Sequence, residues 1–273
     1  YNYKLINRSS NNFNEFYMGQ WADVDLGFAQ DDYVQCDIDR GLAIAFNGDG
    51  FDEGISGYGD KPPALGIDFF VGPLAEFDTI GDGIDNDRDG VIDESDKGFA
   101  VYEGDSVDND LDGVIDEFAE RMDMNHFRYY FGDSNPQGGN PGSAQDFYYY
   151  LQSIWRDGSE VRHDLASGRN QSFPETNYMF PGNSWTTLKS KYGIDPTDPF
   201  LYETWTETVS GNQPADRRFV TSVGPLNFES GEVVEYTVGL PWARSEYGGA
   251  KGSFDKLLCV DDYVQSLYMG DKN

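Results

Sequence analysis

Basic side chains are scarce in this sequence. Its 273 residues include 19 lysines and arginines against 49 aspartates and glutamates, so the formal net charge at pH 7 is −30. A protein that binds nucleic acid needs a stripe of basic residues to neutralise the phosphates. Because no such stripe is present, the sequence argues against nucleic-acid binding.

Histidine and the short motifs of common catalytic sites are also nearly absent. The two histidines, His126 and His163, stand outside H-E-x-x-H and other zinc-binding spacings. No G-x-S-x-G motif accompanies the His163-Asp164 pair, so nothing supports a serine-based triad. A glycosidase needs only two carboxylates, which a chain with 49 acidic residues contains by chance. We therefore predict that the protein is not an enzyme.

Long apolar runs and a secretion leader are missing as well. No stretch approaches the length that a transmembrane helix needs, so membrane insertion is not expected. The chain has no signal peptide and no initiator methionine, and it opens at Tyr1 within a predicted strand. We interpret it as a mature or excised segment of a longer protein, whose other domains are then among its expected partners.

What the sequence does contain favours a β-rich fold. Aromatic residues make up 15% of the chain, and 32 glycines and 12 prolines supply turns. Alternation of apolar and polar residues predicts strands over 2–7, 15–25, 33–38, 41–46 and 62–71, and segment 120–131 favours a strand. Residues 217–223 and 233–240 predict a β-hairpin that turns near Gly231.

Two helices are predicted at the periphery of these strands. The first follows a capping box at 143–146, and its apolar face consists of Phe147, Leu151, Ile154 and Trp155. The second covers 253–268, and its apolar face consists of Leu257, Val260, Val264 and Leu267. Because strands and helices do not alternate, we predict a mainly β fold. It is an antiparallel β-sandwich with two peripheral helices, formed by a single module over residues 1–273.

The most informative feature is an acidic repeat. Residues 82–94 and 105–117 are offset by 23 residues and agree at ten of thirteen positions. Both contain D-x-D-x-D-G, whose evenly spaced carboxylates and fixed glycine are typical of a calcium-binding loop. In the first copy the predicted ligands are Asp85, Asp87, Asp89, the carbonyl of Val91, Asp93 and Asp96. In the second copy they are Asp108, Asp110, Asp112, the carbonyl of Val114, Asp116 and Glu117.

The two copies differ at the twelfth loop position, where an EF-hand normally has a bidentate glutamate. Asp96 occupies this position in the first copy and Ala119 in the second, so either Glu117 or Glu120 substitutes there or the second site is weaker. No long amphipathic helices flank the copies, which are therefore EF-hand-like loops without the helices. They resemble the calcium repeats of thrombospondin type 3 and dockerin modules. The alternative is a solvated acidic linker.

The repeat lies in an acidic insert that covers residues 78–120. The insert contains sixteen acidic and two basic residues, a net charge of −14, so the acidity of the chain is partly a metal-binding device. Ca²⁺ is the predicted cofactor. Calcium loops of this kind are used where calcium is plentiful, which predicts an extracellular location. In an extracellular chain, we predict a disulfide between Cys36 and Cys259 that links the N-terminal sheet to the C-terminal helix.

A second group of acidic residues lies near the N-terminus. Asp23 and Asp25 end a predicted strand and would point to the same side, where they would repel each other unless a cation lay between them. The aspartates that follow a short loop after them are Asp31, Asp32, Asp37 and Asp39. We predict another calcium site here, and a further candidate consists of Asn47, Asp49 and Asp52. The alternatives are an acidic sheet face or side chains that cap turns.

Several longer phrases resemble a known module. They are YMGQWADVDLG (17–27), DDYVQCD (31–37), AIAFNGD (43–49), PPALGIDFFVGP (62–73), NYMFPG (177–182) and PADRRFVTSVGPLNFESG (214–231). Together they are similar to a module of large cell-surface and secreted proteins that the bacterial type IX secretion system exports, although that module usually has glycine where this chain has Gln35. The resemblance implies an extracellular β-sandwich at the bacterial surface, which often precedes fibronectin-like or immunoglobulin-like repeats. It supplies no catalytic residue.

Two functions remain open at this point. The favoured one is a calcium-binding, non-catalytic structural or adhesion module of a secreted surface protein. Its expected partners are calcium, other domains of the longer chain, and surface glycans or components of the secretion system. The alternative is a carbohydrate-binding or carbohydrate-active domain, which the predicted β-sandwich, the calcium loops and the aromatic side chains suggest.

Overall fold

The computed structural model of the protein describes residues 1–73, 122–131, 134–182 and 205–269. The acidic insert 78–120 lies outside the described residues. The ligands predicted between Asp85 and Glu117 therefore stay predictions, and the positions discussed below belong to the rest of the chain.

Strands predominate in the described part of the chain. They are β1 (Asn2–Ile6), β2 (Phe13–Asp23), β3 (Asp32–Asp37), β4 (Leu42–Asn47), β5 (Ala64–Val71), β6 (His126–Phe131), β7 (Arg217–Phe228), β8 (Val233–Gly239) and β9 (Trp242–Ala243). The α-helices are α1 (Ala144–Leu151) and α2 (Gly249–Met269), and a short 3-10 helix covers Ile38–Arg40. The predicted strands over 2–71 and the strand favoured within 120–131 are all present, with bounds that differ by a few residues.

These strands form two antiparallel sheets. The larger sheet has the order β1-β8-β5-β4-β3, with β9 paired to β5, and the smaller sheet has the order β2-β7-β6. Side chains from both sheets form one buried core between them, with Phe69 from the larger sheet and Phe127 and Phe219 from the smaller one. The predicted mainly β fold, an antiparallel sandwich with peripheral helices, is confirmed.

Strand β4 shows why the larger sheet carries a helix on its outer side. Its alternate residues Ala43 and Ala45 face the core between the sheets. The residues between them face the other way and pack with Phe254 and Leu257 of α2. Because both faces of this strand are apolar, α2 is needed to cover the outer one.

The predicted hairpin near Gly231 is wrong. Strand β7 pairs with β2 and β6, whereas β8 pairs with β1 and β5, so the turn between them carries the chain from one sheet to the other. The turn between β1 and β2 makes the same crossing alongside it. Asn7 holds the two turns together, because its amide nitrogen donates to the carbonyl of Phe228 at 2.9 Å and its backbone carbonyl accepts from Gly231 at 2.8 Å.

The first helix begins as predicted and ends early. The Ser143 hydroxyl accepts a hydrogen bond from the Asp146 backbone at 3.1 Å, which is the expected N-cap. The helix ends at Leu151, and Tyr150 is its buried side chain while Phe147 is exposed. The predicted apolar face therefore differs, because one more turn of helix would be needed to bring Ile154 and Trp155 onto it.

The predicted disulfide is also wrong, because both cysteines are free. Cys36 is fully buried on the face of β3 that looks into the core between the sheets, where its thiol lies 3.4 Å from the carbonyl of Met179. Cys259 is exposed on α2, which packs against the opposite face of the same sheet. The larger sheet therefore separates the two sulfur atoms.

Candidate metal centre

Two groups of carboxylates lie at the end of the sandwich where β2 ends and β3 begins. One consists of Asp23, Asp25 and Asp216, and the other of Asp31, Asp49 and Glu53. In each group the three residues offer carboxylate oxygens that all lie within 4.8 Å of one another. Calcium–oxygen distances are about 2.3–2.6 Å, so the oxygens around one ion can be up to about 5 Å apart. Both groups are narrow enough to surround a calcium ion.

The first group already contains a cation. Asp25 follows the end of β2 with a φ of 42°, and this left-handed conformation keeps its carboxylate near that of Asp23. The guanidinium of Arg218 lies 2.9 Å from Asp23 and 3.1 Å from Asp216. Burial and the two neighbouring carboxylates raise the pKa of Asp25, while Arg218 lowers it. The guanidinium of Arg218 on β7 can therefore be the cation that we expected between Asp23 and Asp25. A metal ion in this group stays a prediction.

The second group has no such partner among the described residues. Asp31 is 3% exposed, and neither of its carboxylate oxygens accepts a hydrogen bond from an N–H group. Glu53 is close enough to share a proton with it. Burial, then Glu53 and the neighbouring aspartates, raises the pKa of Asp31 to about 7. Asp31 is therefore a buried carboxyl group with no cationic or N–H partner among the described residues, and it faces the two exposed carboxyl groups of Asp49 and Glu53.

The loops around Asp31 are fixed by Asp52, which is buried. Its carboxylate accepts hydrogen bonds from the backbone of Phe28 at 2.7 Å and of Tyr58 at 3.0 Å. Its backbone exchanges two hydrogen bonds with Gly59, at 2.9 and 3.0 Å. Asp52 was predicted as a ligand together with Asn47 and Asp49. Both of its oxygens hold the loop by accepting backbone hydrogen bonds, and its role as a ligand stays a prediction.

The side chain of Asn47 also stabilises the loop after β4. Its side-chain oxygen accepts from the backbone of Gly50 at 2.6 Å, as in an Asx-turn. Asp49 makes a similar bond with one oxygen, which accepts from the backbone of Phe51 at 3.2 Å, and no described residue bonds to its other oxygen. Glu53 is the ligand candidate that sequence reasoning missed. It stands next to Asp52, and no spacing rule for an irregular loop distinguishes the two carboxylates.

Asp32 lies between the two groups. It is buried, one oxygen accepts from the backbone of Leu26 at 3.1 Å, and the other oxygen has no partner among the described residues. Burial raises the pKa of Asp32 to about 8, against the hydrogen bond from Leu26, and Asp31, Asp52 and Asp25 raise it further. The raised pKa favours the protonated form of Asp32, and that form lessens the repulsion at the start of β3.

The remaining predicted aspartate lies apart from both groups. Asp37 caps the 3-10 helix by accepting from the backbone of Arg40 at 3.2 Å, and it forms an ion pair with the Arg40 guanidinium at 2.7 Å. It is therefore engaged locally. The side chain of Asp39 is outside the described residues.

The histidines occupy buried positions. His163 packs edge-on against Trp205, with ring centroids 5.2 Å apart, and His126 packs edge-on against Tyr17. Asp164 accepts backbone hydrogen bonds from the loop that follows it, including those of Ala166 at 2.9 Å and Gly168 at 2.8 Å. The carboxylate of Asp164 thus shapes a loop, as an Asx-turn does.

The chemistry of the Asp31 group favours a hard divalent cation. Two carboxylates about 4 Å apart repel each other by about 4 kcal/mol at an effective dielectric constant of 20. Three of them need either bound protons or a cation, and three carboxylates supply up to six oxygens. Calcium accepts six to eight oxygens in flexible geometry, whereas magnesium requires a near-ideal octahedron at about 2.0–2.1 Å. Asp31, Asp49 and Glu53 would hold the ion, with water completing the shell.

No family model, no curated protein and no solved structure matches this chain. In the described part of the chain, neither helix combines the length and the apolar character that crossing a membrane requires. The site itself therefore has to carry any functional conclusion.

Proposed function

We propose that this protein is a calcium-binding, non-catalytic structural or adhesion module of a secreted bacterial surface protein. The observation that carries the proposal is the buried carboxylate of Asp31, which accepts no hydrogen bond from an N–H group of the described residues and faces Asp49 and Glu53. A buried carboxylate without a partner is costly, and a bound divalent cation removes that cost.

The location of the group favours a structural role for the ion. Asp31 immediately precedes β3, and Asp49 and Glu53 follow β4, the strand paired with β3. An ion held by all three would tie the loop after β4 to the start of β3. That loop already bonds to Asp31, because the backbone of Gly48 donates to the Asp31 carbonyl at 2.6 Å.

The insert 78–120 supports the same function from another direction. The chain leaves β5 and returns to β6, and the two ends of this excursion meet, since the backbone of Met122 donates to the carbonyl of Pro73 at 2.8 Å. Because its two ends are joined by this hydrogen bond, the insert could bind calcium with its own residues without altering the two sheets. The calcium loops predicted at 82–94 and 105–117 would then be a separate unit within the module.

A calcium titration of the full chain by isothermal calorimetry tests the proposal. Wild type should bind calcium at the insert and at the Asp31 group, so Asp31→Asn should bind one ion fewer. The matched control is Asp60→Asn, which removes one negative charge from an exposed aspartate nearby. Equal stoichiometry and equal thermal stabilisation by calcium in wild type and Asp31→Asn would refute the site.

The alternative, a carbohydrate-binding or carbohydrate-active domain, is supported by exposed aromatic side chains such as Trp21 and Phe147. These two side chains line a groove whose other residues are mostly apolar. A sugar ring brings several hydroxyl groups that need partners, and the lining offers them chiefly the Asn140 amide and the Tyr130 hydroxyl. A glycan array probed with the full chain distinguishes this alternative from the proposed function.

A further inference from the structure

A groove of about 440 Å³ runs between the outer face of the smaller sheet and α1. Its floor and walls include Trp21 of β2, Tyr130 of β6, Val220 of β7, Pro141, and Phe147 and Leu151 of α1. An apolar groove of this size on a protein surface is typical of a binding site.

The aromatic walls of the groove are exposed and held in place. Trp21 is 58% exposed, and its indole N–H donates to the Tyr130 hydroxyl. The helix that forms the other wall is tied to the sheet, since Tyr148 donates to the carbonyl of Glu15 at 2.8 Å and Ser222 donates to the carbonyl of Leu151. A fixed, exposed tryptophan offers a large contact area at little cost in conformational entropy.

One end of the groove is acidic. Asp23 lies two residues after Trp21 on β2, so both side chains are on the same face of the sheet. Its partner Arg218 is directly opposite both Asp23 on β2 and Tyr130 on β6. Three carboxylates and one guanidinium meet there, which leaves a net charge of −2 beside the aromatic walls.

We infer that this groove binds a peptide segment of a partner protein, with an apolar or aromatic side chain between Trp21 and Phe147 and an adjacent lysine or arginine at Asp23, Asp25 and Asp216. The apolar lining suits a hydrophobic side chain, and the acidic end suits a cation. The net charge of −30 would attract basic partners over a distance. The inference goes beyond the proposed calcium function and does not require it.

Selection from a random peptide library displayed on phage tests the inference, with the full chain as bait in millimolar calcium. Selected peptides should combine an aromatic or large aliphatic residue with a neighbouring lysine or arginine. Synthetic copies, measured by fluorescence polarisation, should bind Trp21→Ala at least about ten-fold more weakly than wild type. Trp242→Ala is the matched control, because Trp242 is 47% exposed on β9 of the other sheet.

The acidic end is tested separately with Asp25→Asn, since asparagine tolerates the left-handed backbone at this position. Binding should weaken about three-fold at low salt, and the difference should shrink in high salt. Selected peptides without basic residues, or equal binding to wild type and Trp21→Ala, would overturn the inference. So would a glycan-array signal that Trp21→Ala abolishes while no peptide is selected, because the occupant would then be a sugar. Calcium calorimetry on Trp21→Ala should be unchanged, because Trp21 belongs to neither carboxylate group, so this inference and the Asp31 site can fail independently.

Discussion

Asp68 of β5 and Asp261 of α2 face each other where the helix packs on the larger sheet, and replacing Asp261 by asparagine tests what holds them together. Asp68 is 0% exposed and Asp261 is 1% exposed. The two carboxyl groups lie within hydrogen-bonding reach of each other. Neither oxygen of Asp68 accepts a hydrogen bond from an N–H group of the described residues. Two buried carboxyl groups in contact require a shared proton.

The surroundings of the pair favour a protonated carboxyl group, because burial raises the pKa of both residues. Burial is the largest cause that raises the pKa of Asp68 well above its ordinary value, and Asp261 and Asp123 raise it further. Burial likewise raises the pKa of Asp261 to about 7. The contact with Asp68 and the charge of Arg40 lower it, whereas Asp262 and Asp37 raise it.

The sign of the pH dependence follows from this rise. A carboxyl group whose pKa is higher in the folded state contributes stability that is fully present below its unfolded pKa, near 4, and is lost as the pH rises through the folded value. A rise from 3.8 to about 7 corresponds to roughly 4 kcal/mol. Asparagine carries no charge at any pH, and its amide can donate to Asp68. The stability of Asp261→Asn relative to wild type should therefore increase between pH 4.5 and pH 8.5, by about 1–4 kcal/mol.

Urea unfolding at pH 4.5, 6.5 and 8.5, at one calcium concentration, measures this difference. Comparing variants at each pH removes the contributions of Asp31 and Asp32, which titrate elsewhere in the molecule. The control is Asp262→Asn, one residue along the helix, where the side chain is 55% exposed and pairs with Arg40 at 2.8 Å. If Asp261→Asn differs from wild type by the same amount at all three pH values, or if Asp262→Asn reproduces its pH dependence, the shared proton is refuted.

Two further predictions concern buried groups elsewhere. Glu207→Gln should lower the free energy of unfolding by about 3 kcal/mol or more, because Arg217 then remains as a buried cation without a counter-charge. The two side chains form an ion pair at 2.7 Å and are each 1% exposed. Chemical denaturation measures the loss, and a change below about 1 kcal/mol would contradict the prediction. Iodoacetamide should modify Cys259 in the native protein and Cys36 only after denaturation, because burial raises the pKa of the Cys36 thiol well above its ordinary value. Mass spectrometry identifies the modified cysteines, and labelling of Cys36 in the native protein would show that the core opens.

The sequence predicts the strands well because their alternation records which side chains are buried. The alternation pattern does not show which of the two sheets a strand belongs to. A short turn such as the one near Gly231 can join two strands of one sheet or carry the chain across the sandwich, and the apolar pattern is the same in both cases. The crossing depends on the neighbouring turn that contains Asn7, far away in the sequence.

The sequence indicates that the candidate site consists of aspartates, but it does not show which of their carboxylates are engaged by other groups. The number of acidic residues near Asp23 and Asp31, and the repulsion expected between Asp23 and Asp25 on one side of a strand, predicted a metal site there. Which carboxylates are free depends on long-range partners: Arg218 comes from β7, and the backbone groups that engage Asp52 come from two different loops. The Asp68–Asp261 pair was missed because a charged residue on a helix is ordinarily assigned to the solvent side.

In the described part of the chain, three groups of carboxylates reduce their mutual repulsion in different ways. Asp23 has the guanidinium of Arg218 beside it, and Asp261 shares a proton with Asp68. At Asp31 neither solution is complete, since no cationic side chain of the described residues pairs with it and its pKa of about 7 leaves it partly ionised at neutral pH. Protons and calcium must then compete for the same oxygens, so calcium affinity at Asp31 should fall as the pH decreases below 7. What separates a metal site from other acidic clusters is therefore the absence of another counter-charge, and of these three described groups the one at Asp31 shows that absence.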